Sequence, residues 1–286
     1  MFLNFQWMAC RVPLRFHESL TLFPTFSGAM MLDPRLKYLS HKQVRENSWD
    51  LVLLPFGATE PHNLHLPYGT DIFQVEEIGR RGCVKANEKG AKALLLPAIP
   101  FGVNTNYYQI PGGLTPGLKP TTLLAIIKDV ATALSRQGIR KLVLLNGHGG
   151  NELKPFLREL FDELPIFIGL IDWYRMAGDL CKATLSEPGE HADELETSLM
   201  LALRPELVNM TVADDGTPIP AKVGSVNKGW LTVSRPWHLA TTGTGIGCPH
   251  KGTAEKGHSL LESSSDRLAE VILELAQVPY APGFPW

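Results

Sequence analysis

Short apolar runs alternate with longer amphipathic segments along the chain from residue 50 onward. The short runs predict four buried strands, over Asp50–Phe56, Lys92–Ala98, Arg140–Leu145 and Ile166–Asp172. The longer segments place apolar residues at helical intervals and stop near Gly or Pro, so they predict helices over Ile72–Glu88, Thr121–Gln137, Glu152–Leu164 and Ser259–Gln277. This repeated order predicts an α/β fold, with a mainly parallel sheet covered by helices on both faces.

Two regions depart from that alternation. Residues Thr211–Gly252 are rich in Gly, Thr and Pro, and they predict a long excursion with short strands that forms a lid or an oligomer contact. Residues 1–31 mix charged and apolar side chains without the pattern of a secretory signal. We expect them to be a non-native or disordered extension, with translation starting at Met30 or Met31, and residues 32–286 to form a single domain.

Composition narrows the classes of function. The net charge of −2 offers no electrostatic footprint for nucleic acid. Apolar runs fall short of the roughly 18 residues that a membrane span needs. The four cysteines are widely spaced and form no CxxC pair, which is typical of free thiols in a reducing compartment. We therefore expect a cytoplasmic protein that acts on a small molecule and has no nucleic-acid or membrane partner.

Side chains that bind metals follow the first predicted strand. Glu60, His62 and Asp71 fall within twelve residues, on a loop at a strand end, where α/β enzymes place their chemistry. Mixed imidazole and carboxylate donors suit Zn, Mn or Fe(II), whereas calcium and magnesium prefer oxygen alone. Glu60 and His62 are separated by one residue and could serve adjacent metals, which Asp71 could return to bridge.

Two later segments carry further candidates. His148 lies among three glycines directly after the third predicted strand, in a turn that leaves its imidazole unobstructed. His191 precedes a predicted helix that carries Glu196. A lone histidine at a strand end is more often a hydrogen-bonded residue than a ligand, and a glycine-rich turn alone could cradle phosphate. We expect His65 to form hydrogen bonds near the site and Glu194 to be a solvated helix residue.

Three motifs in this order resemble the creatininase (creatinine amidohydrolase) family: Glu60-x-His62 followed by Asp71, Asn146-Gly-His148-Gly-Gly-Asn151, and His191-Ala-Asp-Glu-Leu-Glu196. The resemblance extends from about residue 35 to about residue 275. It implies a three-layer α/β/α sandwich, one or two divalent metal ions, hydrolysis of cyclic or linear amides, and a homo-oligomer, with a hexamer favoured. By position it implies metal ligation by Glu60, His62, Asp71, His148 and Glu196, and proton transfer by His191.

The chain also departs from that family in two places. Gly150 lies at the position where the creatininase pattern has a metal-binding glutamate. Glycine has no side-chain atom that could bind a metal. Asp193 replaces a more usual glycine. We therefore expect a metal-dependent amidohydrolase that uses a metal-activated water on a cyclic amide or formamide other than creatinine. Creatinine amidohydrolase proper and a non-catalytic small-molecule or nucleotide-binding protein on the same scaffold remain the alternatives.

Overall fold

The computed structural model describes residues 32–187 and 189–286, so the extension expected over residues 1–31 lies outside the described residues. Four strands form one parallel sheet in the order β2-β1-β3-β4, with bounds β1 Leu51–Phe56, β2 Ala93–Leu95, β3 Lys141–Asn146 and β4 Phe167–Asp172. Asp33–Trp286 forms one compact unit.

The register of the sheet aligns the carboxyl ends of three strands. Phe56 of β1 lies beside Asn146 of β3, which lies beside Asp172 of β4. The chain therefore leaves these strands along one edge of the sheet. Loops that follow parallel strands meet at such an edge, which is where open α/β sheets bind their ligands.

Ten α-helices are present in the described residues: α1 His41–Arg45, α2 Thr70–Glu88, α3 Pro120–Arg136, α4 Lys154–Glu159, α5 Trp173–Met176, α6 Gly178–Thr184, α7 Glu194–Leu203, α8 Gly224–Asn227, α9 Trp237–Ala240 and α10 Ala254–Gln277. Their ends follow from local sequence. Pro120 opens α3 because its fixed φ suits a first helical position. Gly90, with φ of 98°, ends the turn after α2. No described helix has the length and apolar character that a membrane span requires.

The sheet is covered on both faces, because successive strand residues point to opposite sides. Leu51, Leu53 and Leu145 pack with residues of α2, α7 and α10. Val52 and Leu144 pack in a second cluster with residues of α3 and of the segment around α4. The predicted α/β fold is therefore confirmed, as a three-layer α/β/α sandwich with a wholly parallel sheet.

Several predicted boundaries are wrong. β2 ends at Leu95 and not at Ala98, and α4 covers six residues instead of thirteen. The excursion over Thr211–Gly252 contains none of the strands expected there. It consists of short helical turns and irregular chain, with one isolated bridge from Ile246 to His191. Its prolines lack a backbone N–H, and its glycines favour turns, so a ladder of strand hydrogen bonds does not form.

Candidate metal centre

The loop after β1 brings its two ends together. The backbone N–H of Glu60 donates to the carbonyl of Tyr68 at 3.1 Å. Helix α2 then begins at Thr70, so Asp71 lies in its first turn, where the positive end of the helix dipole favours a carboxylate. The side chains of Glu60, His62 and Asp71 are buried side by side at the sheet edge.

Asp71 lies between two imidazoles. One of its oxygens, Oδ1, is 3.0 Å from His62 Nε2, and the other, Oδ2, is 3.1 Å from His148 Nδ1. His148 Nδ1 is also 3.1 Å from Glu60 Oε1. The turn after β3 thus delivers His148 to the same point as the loop after β1, and Asp71 has the position of a bridging group.

The start of α7 adds two more side chains. Glu196 Oε2 lies 3.7 Å from His62 Nε2 and accepts a hydrogen bond from the backbone N–H of Ala192 at 2.6 Å. His191 precedes the helix, and its Nδ1 lies 3.7 Å from Glu60 Oε1. All six residues predicted for the site therefore meet at one place.

The donor atoms of this cluster fit a divalent cation. Three overlapping groups each hold ligand atoms within 4.8 Å of one another: Glu60, His62 and His191; Glu60, Asp71 and His148; His62, Asp71 and Glu196. Among the described atoms, both carboxylate oxygens of Glu60 and Oδ2 of Asp71 are buried and form no hydrogen bond of good geometry, although His148 Nδ1 lies near two of them. Buried carboxylates without partners are costly, and bound cations supply what these oxygens lack.

The electrostatics of the cluster without metal point the same way. Burial alone would lower the pKa of His62, but Asp71 and Glu196 outweigh it and raise that pKa to about 10. Burial likewise opposes the charged form of His148, while Glu60 and Asp71 raise its pKa well above the usual value. Protons on the two imidazoles therefore replace the positive charge of a metal when none is bound.

His191 is oriented by a backbone carbonyl. Its Nε2 lies 2.9 Å from the carbonyl oxygen of Pro61. A carbonyl oxygen only accepts hydrogen bonds, so Nε2 must carry the imidazole proton, and the lone pair of Nδ1 faces Glu60. The ring lies against His62, with ring centroids 4.4 Å apart. His191 can therefore accept a proton on the side of the ring that faces the metal cluster.

The prediction for His65 agrees with the structure, whereas the prediction for Glu194 does not. His65 forms the expected hydrogen bond, between Nε2 and Thr197 Oγ1 at 2.8 Å, and lies outside the ligand groups. Glu194 is not solvated as predicted. Its side chain is 1% exposed and pairs with Lys256, because α10 packs across the start of α7.

The glycine at position 150 is imposed by close packing. A Cβ there would lie 2.4 Å from His148 Nε2 and 2.8 Å from the carbonyl oxygen of Val103. No side chain fits at Gly150 unless His148 moves. Glu196, from a different element, approaches the cluster instead. Asp193 caps α7 by accepting from the backbone N–H of Glu196 at 3.1 Å, and does not belong to the ligand groups.

A cleft of about 620 Å³ opens beside the cluster, lined in part by Gly149, Asp193 and Glu196. Trp173 also lines it, while its ring lies in the core at 2% exposure. Trp237 packs against His191 with ring centroids 4.9 Å apart, whereas Trp230 is 76% exposed. Only two of these three tryptophans therefore border the site.

Sequence reasoning missed Tyr107. It is 4% exposed, its hydroxyl lies 3.4 Å from His191 Nε2, and its ring stacks on Trp237 at 4.8 Å. Tyr107 lies on an irregular loop between β2 and α3, where an Asn-Tyr-Tyr sequence has no distinguishing local pattern. Only the fold brings that loop over the strand ends.

Fold and site together define a class: an α/β/α sandwich with a candidate metal-binding cluster at its strand ends. The family model described as "Creatininase: Creatinine amidohydrolase" matches residues 37–272. The chain belongs to the creatininase family, as its motifs indicated, and is a metal-dependent hydrolase.

Relatives within the family differ in substrate. The chain is 29% identical over 265 residues to the 3-dehydro-scyllo-inosose hydrolase of Thermotoga maritima. The aligned region covers 84% of this chain and 82% of that protein. It is 28% identical over 248 residues to the creatinine amidohydrolase of Pseudomonas putida, covering 78% and 89%. Both names describe a hydrolase, but they give different substrates.

Solved structures show the same fold. A Bacteroides fragilis protein provisionally named creatinine amidohydrolase superposes with a TM-score of 0.81 at 36% identity, over 88% of this chain and all of that chain. A creatininase variant of the Zn–Zn type superposes with a TM-score of 0.69 at 25% identity, over 87% of this chain and all of that chain. The expectation of a divalent-metal cofactor is confirmed at the level of the family and its donor set.

Proposed function

We propose that this protein is an amidohydrolase that binds two divalent ions and hydrolyses a cyclic amide or formamide other than creatinine. The observation that carries the proposal is the position of Asp71, whose two oxygens face His62 and His148 at 3.0 Å and 3.1 Å. A carboxylate shared in this way suits a pair of metals that divides activation of water from polarisation of a carbonyl.

The ligand sets follow from the grouping of donor atoms. Glu60, Asp71 and His148 would hold one ion, and His62, Asp71 and Glu196 would hold the other. Zinc, manganese and iron(II) all suit this mixture of nitrogen and oxygen. Glu196 thereby replaces the glutamate that is absent at Gly150.

Each ion supplies Lewis-acid chemistry, which lowers the pKa of water and polarises a carbonyl. The protein's own part is positioning and proton transfer. His191 Nδ1 faces Glu60 at 3.7 Å and takes a proton released at the cluster. It then gives that proton to the leaving nitrogen of the amide, which cannot depart as an anion.

The choice of substrate class rests on the surroundings of the cluster. Gly149 adds no side chain to the wall of the adjoining cleft, whose volume of about 620 Å³ leaves room for a ring amide larger than creatinine. Creatinine remains a second candidate, since the Pseudomonas putida relative carries that activity in its name. A binding protein without catalysis is the third.

Assembly and location form part of the same proposal. The excursion exposes large apolar side chains at Ile219, Val223, Trp230, Leu231, Val233 and Leu239. Burying them between subunits would stabilise a homo-oligomer, for which we propose a hexamer. Size-exclusion chromatography with light scattering distinguishes this from a monomer. Cys83, Cys181 and Cys248 are free thiols, which supports a cytoplasmic location.

Two isosteric variants test the ligand assignment. Because Asp71 serves both ions, Asp71→Asn should remove nearly all bound metal, whereas Glu196→Gln should remove about one of two ions. Elemental analysis after dialysis against trace zinc measures this, with the exposed Glu262→Gln as control. Equal loss in both variants would reject a shared Asp71.

An amide screen on the zinc- and manganese-loaded protein tests the activity. It includes creatinine, hydantoin-type ring amides and N-formyl heterocycles. Turnover of a ring amide or formamide faster than creatinine supports the proposal. Turnover of creatinine alone identifies the second candidate, and metal binding without any turnover identifies the third.

A further inference from the structure

The tautomer of His191 prevents its Nε2 from accepting a hydrogen bond from the neighbouring hydroxyl of Tyr107. His191 Nε2 lies 2.9 Å from the carbonyl oxygen of Pro61 and so already carries a proton. The hydroxyl of Tyr107 is 3.4 Å from the same nitrogen. An N–H has no lone pair to offer, so Tyr107 cannot donate its hydroxyl proton to His191.

The other acceptor close to this hydroxyl is a metal ligand. Glu60 lies near enough to raise the pKa of Tyr107, after burial, which is the larger cause. A tyrosine hydroxyl is in any case protonated at neutral pH. When the oxygens of Glu60 bind metal, their capacity to accept from Tyr107 falls. The hydroxyl proton is then free for another acceptor.

The ring is held in place on several sides. It stacks on Trp237 at 4.8 Å and meets His191 edge-on at 6.1 Å. The backbone N–H of Tyr107 donates to the carbonyl of Asn104 at 3.1 Å, and Asn106 Nδ2 donates to the carbonyl of Arg235 at 3.0 Å. A donor fixed before the reaction stabilises developing charge without the cost of reorganisation.

We propose that Tyr107 is a catalytic residue that donates a hydrogen bond to the substrate's carbonyl oxygen as it becomes a tetrahedral oxyanion. The inference rests on the proposed amide hydrolysis. Attack of water on an amide carbon moves the carbonyl π electrons onto oxygen, and a neutral donor beside the metal cluster stabilises that charge. The proton stays on Tyr107 throughout.

Tyr107→Phe tests the proposal, because it removes the hydroxyl and retains the ring. We expect turnover to fall by about 10²–10³-fold, as on removal of other oxyanion donors, with KM changed by less than about threefold. Metal content and melting temperature should stay at wild-type values. Tyr108→Phe is the matched control, since Tyr108 is 60% exposed and its hydroxyl donates to the carbonyl of Gly117.

Binding of acetohydroxamate to the zinc-loaded protein gives a readout independent of turnover. This probe presents a negatively charged oxygen to metals, as an oxyanion would. Calorimetry should show its Kd rise about tenfold in Tyr107→Phe and stay unchanged in Tyr108→Phe. Lower turnover with an unchanged Kd would overturn the oxyanion role and leave Tyr107 as a group that positions His191. Wild-type turnover would overturn any role in the chemistry.

The two proposals can fail separately. If the wild-type protein turns over no amide but binds acetohydroxamate in a manner that depends on Tyr107, amide hydrolysis is rejected and the oxyanion contact stands. If the loaded wild-type protein does not bind the probe at all, both are rejected.

Discussion

At the scale of single residues, the site depends on which atom of each side chain faces the cluster. His62 uses Nε2 and His148 uses Nδ1 toward the same aspartate. Their other nitrogens differ as well: His62 Nδ1 contacts the backbone carbonyl of Glu60 at 3.0 Å, whereas His148 Nε2 has no hydrogen-bond partner in the described structure. Backbone contacts of this kind fix ring orientation and the nitrogen that remains free to bind a metal.

The role of His191 leads to the first prediction. Its Nε2 is committed to Pro61, and we expect Nδ1 to move protons instead of binding metal. His191→Ala should lower kcat by about 10²–10⁴-fold, the usual contribution of a general acid–base group, and leave metal content near wild type. The exposed His258→Ala serves as control.

Metal analysis distinguishes a proton-transfer role of His191 from a role as a metal ligand. His191 also belongs to a possible ligand group with Glu60 and His62. Loss of an ion from His191→Ala would make it a ligand. Full turnover with full metal content would remove it from the mechanism.

At the scale of elements, one buried ion pair connects three segments around the site. Glu194, at the start of α7, pairs with Lys256 in the first turn of α10. Its other oxygen accepts the backbone N–H groups of Ser186 and Glu187, at 2.8 Å and 2.9 Å. The carboxylate of Glu194 therefore holds in place the segment that leads to His191. This segment forms part of the cleft wall.

Breaking this pair should be costly. Lys256→Met leaves the carboxylate of Glu194 buried without its countercharge, and we expect the free energy of unfolding to fall by on the order of 3 kcal/mol. Urea unfolding measures the change, with the exposed Lys251→Met as control. A loss no greater than that of the control would mean that water compensates Glu194.

At the scale of the whole molecule, we expect metal binding and folding to be coupled through protons. In the metal-free protein the pKa of His62 is about 10, above its ordinary value of 6.5. A folded-state pKa raised in this way stabilises the protein fully below pH 6.5, and this stabilisation is lost as the pH rises toward 10. If His62 binds a metal ion as proposed, the bound ion keeps the imidazole deprotonated, and the stability of the loaded protein does not depend on this proton.

The gap in stability between zinc-loaded and chelator-treated protein should therefore widen between pH 7 and pH 9. One proton accounts for about 1.4 kcal/mol per pH unit in this window. Urea unfolding of both forms at constant free zinc measures the gap. A constant or narrowing gap would show that His62 is not protonated in the metal-free fold.

The local sequence was sufficient to predict much of the fold and of the candidate site. Runs of apolar residues determine buried parallel strands, because both faces of such a strand lie in the core, and glycines and prolines mark most element ends. The donor types of Glu60, His62, Asp71 and His148, together with their positions after predicted strands, indicated a metal site. The three motifs in order indicated the family.

Tertiary structure decided the remainder, because the relevant contacts join residues far apart in the chain. Glu194 looks solvated in a helix pattern, yet α10 covers it and supplies Lys256. Tyr107 has no motif of its own. It lies beside the metal cluster only because the fold places its loop above the strand ends. The residues that it contacts there are far from it in the sequence.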